Sequence, residues 1–523
     1  SRCTLSWDYD VSAYGTVGVI DGNSVLITPM RQCMIPPPLC AVELVCGRPV
    51  ACLMFSRGED GRERVGALLD DGRLAIATCL EADDWEGLLL FGAGRDGGDD
   101  AGTDGDEDAL VPKNRIPASV ILGGALDCGH QFRHAAFLGV GQVVFVGQSI
   151  DGVDSLFHYS FDDRDDRERD DRTDRMDFEN CVELEAHVSR LVRFGDDRAL
   201  LEFEDGRCCV YRADGTLEST DGFQARCDVV RVVPAATTAT TTTTATTVPA
   251  SAPASLADAI IGLDVETGRL YRNGAVIASD ATSVGVHTRS AGGPHLLYTT
   301  RANVLKTLPL FGEESEAVRR TVEDGCVLVS LPEGTVDVVL QAPRGNLEII
   351  RPRALVLPAI EDALGRREFA AAWRLATVNR VDLNVLVNHG WPALIEKDNV
   401  RAFLEGVGSD SDVAGFLQSL SAPKAAAGDG NAENTKIDAV CEAFRNEVSS
   451  SSQHGRAWLR TELTTYTKCG DIGKALLRIK EIKELDMNNN GNGNGNGNGN
   501  EQSDERTHPS AEAGLKHVLL HNS

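Results

Sequence analysis

From the N-terminus to Arg353, apolar residues fall in short alternating runs separated by turn dipeptides. Thr16 to Ile20 and Val25 to Thr28 flank Asp21-Gly22, and Val65 to Leu69 and Leu74 to Ala77 flank Asp71-Gly72. Leu200 to Phe203 and Cys208 to Tyr211 flank Asp205-Gly206, with Asp214-Gly215 close behind. Thr267-Gly268 and Asn273-Gly274 follow, and the last strand signals are Val336 to Leu340 and Leu347 to Ile350. A period of two broken by Asp-Gly or Asn-Gly predicts hairpins, with type I′ turns at the dipeptides. Repeated hairpins without intervening helices exclude a parallel α/β sheet. At about 40–45 residues per blade, seven blades need roughly 300 residues, so a β-propeller fits and a large sandwich fits less well. Trp7-Asp8 is the sole Trp-Asp pair, so no blade signature recurs.

After Arg353 the period becomes helical. Ala354 to Leu364 and Arg366 to Val378 read as a helix pair, with Phe369 and Trp373 on one face at i, i+4. The next helix is expected near Trp391-Pro392, where proline suits a first turn. Ile437, Val440, Cys441, Phe444 and Val448 form one apolar stripe. Ile472, Leu476, Ile479 and Ile482 form another, with Gly470 as C′ and Asp471 as N-cap of that helix. Short amphipathic helices with brief connections predict an α-solenoid.

Low-complexity inserts interrupt both halves: Gly92 to Asp108, Asp162 to Asp177, the Thr/Ala tract within 235–254, and Asn-Gly alternation from Asn488 to Asn500. None carries enough apolar surface to offset ordering entropy, so each reads as a surface loop or linker. Composition then narrows the function classes. The chain has 523 residues, 42% of them hydrophobic, and a net charge of −28 from 51 basic and 79 acidic residues. Such a surface disfavours wrapping nucleic acid or anionic lipid. The chain opens at Ser1 without a signal-like segment and carries no apolar run of membrane length, which reads as a soluble fragment with no membrane association. The fourteen cysteines contain no C-x-x-C and read as reduced thiols in a cytoplasmic or nuclear protein.

Candidate chemistry is thin. Gly92 to Gly97 matches G-x-G-x-x-G, yet acidic residues rather than a helix N-terminus follow it. Gly470 to Lys474 reads G-D-I-G-K, too short for a phosphate loop and lacking the following Ser or Thr. Cys128, His130 and His134 lack a fourth zinc ligand at a recognised spacing. There is no G-x-S-x-G or H-E-x-x-H. No enzyme activity, cofactor, metal or catalytic residue is expected. Arg344, Arg351 and Arg353 cluster at the end of the hairpin region. Lys474, Arg478, Lys480 and Lys483 read as the solvated face opposite the isoleucine stripe.

Two stretches carry a resemblance. GVIDGNSVLITPMRQCMIPPPLC runs from Gly18 to Cys40, and LQAPRGNLEIIRPRALVLPAI from Leu340 to Ile360 continues into REFAAAWRLATVNRVDLNVL to Leu386. The second closely resembles the propeller-to-helix junction of the Elongator complex protein 1 (IKAP) family, with Pro343, Arg344, Gly345, Asn346, Leu347, Glu348, Phe369 and Trp373 as its structural motif. Segments from Lys436 to Cys441 and from Ala511 to Leu520 resemble later helices of the same family. The resemblance implies a WD-repeat-like second β-propeller over 36–353, preceded at 1–35 by the end of a first propeller or a linker. The start of an α-solenoid of TPR-like helical repeats follows over 354–523. It further implies a non-catalytic scaffold that holds the second and third Elongator subunits and is required for carboxymethyl-type modification of tRNA wobble uridines at C5. Homodimerisation and most tRNA contact would belong to regions further C-terminal. A vesicle-coat or transport scaffold is the alternative, because coat subunits also join propellers to solenoids.

Overall fold

The computed structural model describes residues 9–12, 14–36, 39–57, 62–78, 115–117, 120–122, 129–161, 176–195, 197–234, 258–288, 293–407, 409–421, 430–447 and 452–491. The inserts around 92–108, 162–175 and 235–254 and the segment 511–520 lie outside them. Contacts divide the chain into two compact units, Ser1–Val381 and Asp382–Ser523.

The first unit contains seven antiparallel sheets in chain order, the seven blades of a propeller. Blade 1 is Tyr9–Val11, Thr16–Asp21, Ser24–Pro29 and Val42–Val45, with Arg115–Pro117 added in parallel to its outer edge. Blade 2 is Val50–Arg57, Glu63–Leu69, Leu74–Thr78 and, after a long excursion, Val120–Leu122. Blade 3 runs from His130–Gly139 to Met176–Glu183, blade 4 from Val188–Arg193 to Leu217–Thr220, and blade 5 from Val229–Val233 to Ala275–Ala278. Blade 6 spans Ala281–His287 to Val318–Thr321, and blade 7 has three strands, Val327–Ser330, Val338–Gln341 and Leu347–Ile350.

Each junction between neighbouring blades encloses its own apolar core. Val42 and Leu44 meet Val65 and Ala67 between blades 1 and 2, and Leu68 and Ile76 meet Phe137 and Phe145 between blades 2 and 3. Clusters centred on Leu201, Tyr271, Tyr298 and Leu340 serve the next four junctions. The ring closes where Val17, Val19, Leu26 and Met30 of blade 1 pack on Val339 of blade 7. Residues 9–35 are therefore part of this propeller, which corrects the expected start at Pro36. Without those strands the inner face of blade 7 would lie open to water. Gly15 lies so close to Pro332 of the blade 7 hairpin that a Cβ would approach it to 2.7 Å, and its φ is +89°.

Polar anchors accompany the apolar cores. Asp154 of blade 3 accepts the Val188 N–H of blade 4 at 2.8 Å, and Glu202 of blade 4 accepts the Cys227 N–H ahead of blade 5 at 2.6 Å. Ser283 of blade 6 accepts the Leu328 N–H of blade 7 at 2.9 Å. In each case a buried side chain satisfies a backbone donor that would otherwise be stranded at the blade edge.

The hairpin turns differ from the expected type. Among the described turns only Asn273-Gly274 has both φ angles positive (47° and 76°), as type I′ requires. At Gly72, Gly152, Gly206, Gly215 and Gly345 the glycine alone is left-handed. It closes a three-residue loop, as where Gly206 N–H donates to Phe203 C=O and Phe203 N–H to Arg207 C=O. The aspartates of three such loops accept the N–H two residues on: Asp71 from Arg73, Asp205 from Arg207 and Asp214 from Thr216. Aspartate sets the bend and glycine completes it.

Helix α1 (Arg353–Gly365) packs against the propeller, its Leu355 joining Leu297, Leu328 and Leu340 in the core between blades 6 and 7. Helix α2 (Phe369–Val378) folds back along it through Phe369, Ala372 and Ala376, all buried. Trp373 is partly exposed, with its indole Nε1 buried.

In the second unit, α3 (Asn384–Gly390) ends at Trp391 and a 3₁₀ turn occupies Ala393–Ile395. The helix expected at Pro392 therefore starts later, as α4 (Lys397–Val407). Helices α5 (Asp410–Ser419) and α6 (Gly430–Glu447) follow, then α7 (Ser452–Lys468) and α8 (Ile472–Gly491). Phe403, Phe416 and Phe444 from α4, α5 and α6 form an aromatic trio with ring centroids 5.3–6.0 Å apart. The stripe Ile437, Val440, Cys441 and Phe444 is buried, and Val448 lies outside the described residues.

Helix α8 departs from expectation. Its buried face carries Ala475 and Arg478, while Ile472 and Leu476 are 45% and 51% exposed. The reason is Glu462 of α7, almost fully buried, which draws in Arg478 (Nε–Oε2 2.9 Å) and Arg445 of α6. Lys474 similarly pairs with Asp438 of α6. A buried carboxylate needs these cations, so α8 turns Arg478 and Lys474 toward α6 and α7 and leaves Ile472 and Leu476 outside, while Ile479 and Ile482 stay half-buried and Lys480 and Lys483 are solvated as expected. The helix also extends through Asn488–Gly491, into the expected linker.

Candidate functional site

Two places gather chemistry-bearing side chains: the centre of the propeller and its exit into the helices. From blade 1 through blade 7 the first strand of each blade touches the first strand of the next. Asp10, Cys52, His134, Arg190 and Arg231 occupy these strands in blades 1 to 5. Burial raises the Asp10 pKa, with Arg231, the Val11 N–H and Arg190 pulling the other way. Burial pushes the Cys52 thiol up to about 12. His134 is lowered to about 4, first by burial and then by Arg133 and Arg190. Arg190 donates to the Asp228 carbonyl at 2.6 Å and sits 3.8 Å from the Glu202 carboxylate. These are mutually compensated charges around a neutral histidine, with no nucleophile–base pair among them.

Elsewhere burial raises the thiols of Cys46 to about 11 and of Cys208 and Cys441 to about 12, so they stay protonated at neutral pH. Among the described residues no group of three or more His, Cys, Asp or Glu is placed to hold a metal ion. Cys128 lies outside the described residues, and His130 packs edge-on against Phe157. Gly92 to Gly97 also lies outside them. Gly470, with φ +75°, ends α7, and Asp471 caps α8 by accepting the Lys474 N–H at 3.0 Å. That G-D-I-G-K segment is a helix junction. Surface depressions of about 180 Å³ beside Arg272 and Tyr298, and about 140 Å³ beside Asn384 and Lys436, are smaller than typical cofactor pockets.

The exit begins at the blade 7 hairpin. Pro343, Arg344, Gly345 and Asn346 form its turn: Gly345 N–H donates to Ala342 C=O at 2.8 Å and Ala342 N–H to Asn346 C=O at 2.9 Å. Of the two residues able to take a positive φ there, Gly345 does so, at +89°. Leu347 opens the last strand and packs on the closing cluster with Val19 and Met30, and Glu348 accepts from Asn346 at 3.4 Å. Arg351 then donates to Asp337 at 2.6 Å, and Pro352 starts α1. These residues close the ring and set the direction of the first helix, while Phe369 buries under α1 and Trp373 lies at its margin. No local signal marks the left-handed Arg367 and Arg380 that end α1 and α2, at φ +62° and +53°. Glycine or asparagine is usual at such positions.

The family is decided by matches on both sides of this exit. A model of the "ELP1 N-terminal second beta-propeller" covers residues 19–328, and one of the "ELP1 alpha-solenoid" covers 353–495. The chain belongs to the Elongator complex protein 1 family. It is 24% identical to Elongator complex protein 1 of Schizosaccharomyces pombe over 480 residues, which is 87% of this chain and 33% of that protein. The Arabidopsis thaliana relative is 23% identical over 98% of this chain and 40% of its own length, and the Mus musculus relative 23% over 89% and 36%. The chain thus spans between a third and two-fifths of the length of these three relatives. Within this family the seven blades are the second propeller and the helices belong to the solenoid, with α1 and α2 packed into the propeller's compact unit.

Proposed function

We propose that this chain is a non-catalytic scaffold segment of the Elongator complex, required for carboxymethyl-type modification of tRNA wobble uridines at C5. The observation that carries the reading is the pair of family matches running across the propeller and the helices, on either side of the ring-closing exit. The interior supports a holding role: charged groups are spent on blade and helix junctions, as with Asp154, Glu202 and Glu462. Its partners are other Elongator subunits, including the second and third of the core. tRNA is the substrate of the whole complex, with homodimerisation and most RNA contact in regions outside this chain. The setting is the cytoplasm, with the nucleus as a further location. Deletion of the parent gene should abolish carboxymethyl-type wobble uridines, read by nucleoside mass spectrometry of bulk tRNA. Unchanged levels would overturn the reading.

A further inference from the structure

The α1–α2 hairpin carries a basic surface. From Arg353 to Arg380 five arginines stand against three carboxylates, in a chain where acids outnumber bases 79 to 51. Arg353, Arg374 and Arg380 are exposed, and Arg353 donates to the Arg380 carbonyl, so the start of α1 and the end of α2 meet. At that same end, Leu357 is 40% and Val378 is 62% exposed. Leu357 lies one turn beyond Arg353 on α1, and Val378 one turn beyond Arg374 on α2.

Helix propensity does not favour arginine at these positions. Arg353 is the first residue of α1, whose first turn has no acidic residue, and a cation there opposes the helix dipole. Arg380 holds a left-handed conformation that glycine or asparagine would adopt at less cost. Exposed arginine framing exposed aliphatic side chains is the composition of a protein interface, whereas single-stranded RNA calls for exposed aromatic platforms. The aromatic residues of the hairpin, Phe369 and Trp373, are buried and half-buried.

We propose that the end of the α1–α2 hairpin formed by Arg353, Leu357, Arg374, Val378 and Arg380 docks an acidic amphipathic helix of another Elongator subunit. The helix would lay apolar residues at i, i+3 and i+4 on Leu357 and Val378, its flanking carboxylates facing the arginines. This rests on the scaffold reading above. The test places a photo-crosslinking p-benzoylphenylalanine at Leu357 or Val378 of the parent protein in the purified complex. Adducts should map to an Asp/Glu-rich helical segment of a second subunit. The charge-reversed pair Arg353→Glu with Arg374→Glu should weaken binding of that subunit by ~10-fold or more, with the wild-type interaction falling as salt rises. Arg380→Asn should weaken it while leaving the melting temperature unchanged or higher, which separates docking from folding. Adducts confined to the protein's own acidic inserts or to RNA would overturn the proposal, as would unchanged affinity in the variants. A wild-type protein that co-purifies with no Elongator subunit would instead overturn the scaffold reading.

Discussion

Asp154 offers the sharpest test of how the blades hold together. Its side chain is fully buried at the junction of blades 3 and 4. It takes two contacts from one Arg133 amino group at 2.8 and 2.7 Å and the Val188 N–H at 2.8 Å, with His187 Nδ1 at 3.4 Å. Asp154→Ala leaves the Val188 N–H without its acceptor and Arg133 without its counter-charge. Breaking a buried pair costs about 3–5 kcal/mol, and because Arg133 is a third exposed and regains some hydration, the lower end applies, about 3 kcal/mol. Asp154→Asn keeps an acceptor and should lose about 1–2 kcal/mol. The assay is amide hydrogen exchange read on the strand Val188–Arg193. Three kcal/mol corresponds to roughly 100-fold faster exchange there, at about 1.4 kcal/mol per tenfold. Exchange within threefold of wild type in Asp154→Ala would refute the idea that this carboxylate ties the two blades.

Three further outcomes follow from burial and charge. Phe369→Ala should destabilise by about 3–5 kcal/mol and Trp373→Ala by less, because Phe369 is 2% exposed and Trp373 only partly buried; urea denaturation checks the order. Glu202 has a raised pKa, chiefly from burial, opposed by the Cys227 N–H and Arg190. Stability linked to its protonation is present below about 4.5 and lost as pH rises through the folded value, so Glu202→Gln should gain relative to wild type with rising pH, read by melts from pH 4 to 8. His134, lowered to about 4, contributes stability above 6.5 that disappears as pH falls through 4, and His134→Gln should flatten that acid limb.

Much of the architecture was legible because two devices are local. Asp-Gly pairs mark hairpins through one aspartate acceptor and one left-handed glycine, so the strand pattern survives even where the turn type differs. The exit from strand to helix was legible for the same reason, at Gly345 and at the change of period after Arg353. What escaped the sequence depends on partners far along the chain. Whether Thr16 to Pro29 ends one propeller or begins another turns on Val17 and Leu26 meeting Val339, more than 300 positions later. The rotation of α8 turns on Glu462, a residue on another helix that makes Arg478 an inward-facing side chain. Periodicity assigns an apolar stripe to the core by default, and a buried carboxylate can outweigh it, since leaving Glu462 unpaired would cost about 3–5 kcal/mol, more than half-exposing Ile472 and Leu476. Glu462→Gln combined with Arg478→Leu should therefore let α8 bury an apolar face with little net loss of stability, whereas Glu462→Gln alone leaves the buried Arg478 with Glu481 as its remaining carboxylate and should lose more. Denaturation of the two variants checks this: equal loss in both would show that the ion pair does not set the helix's rotation.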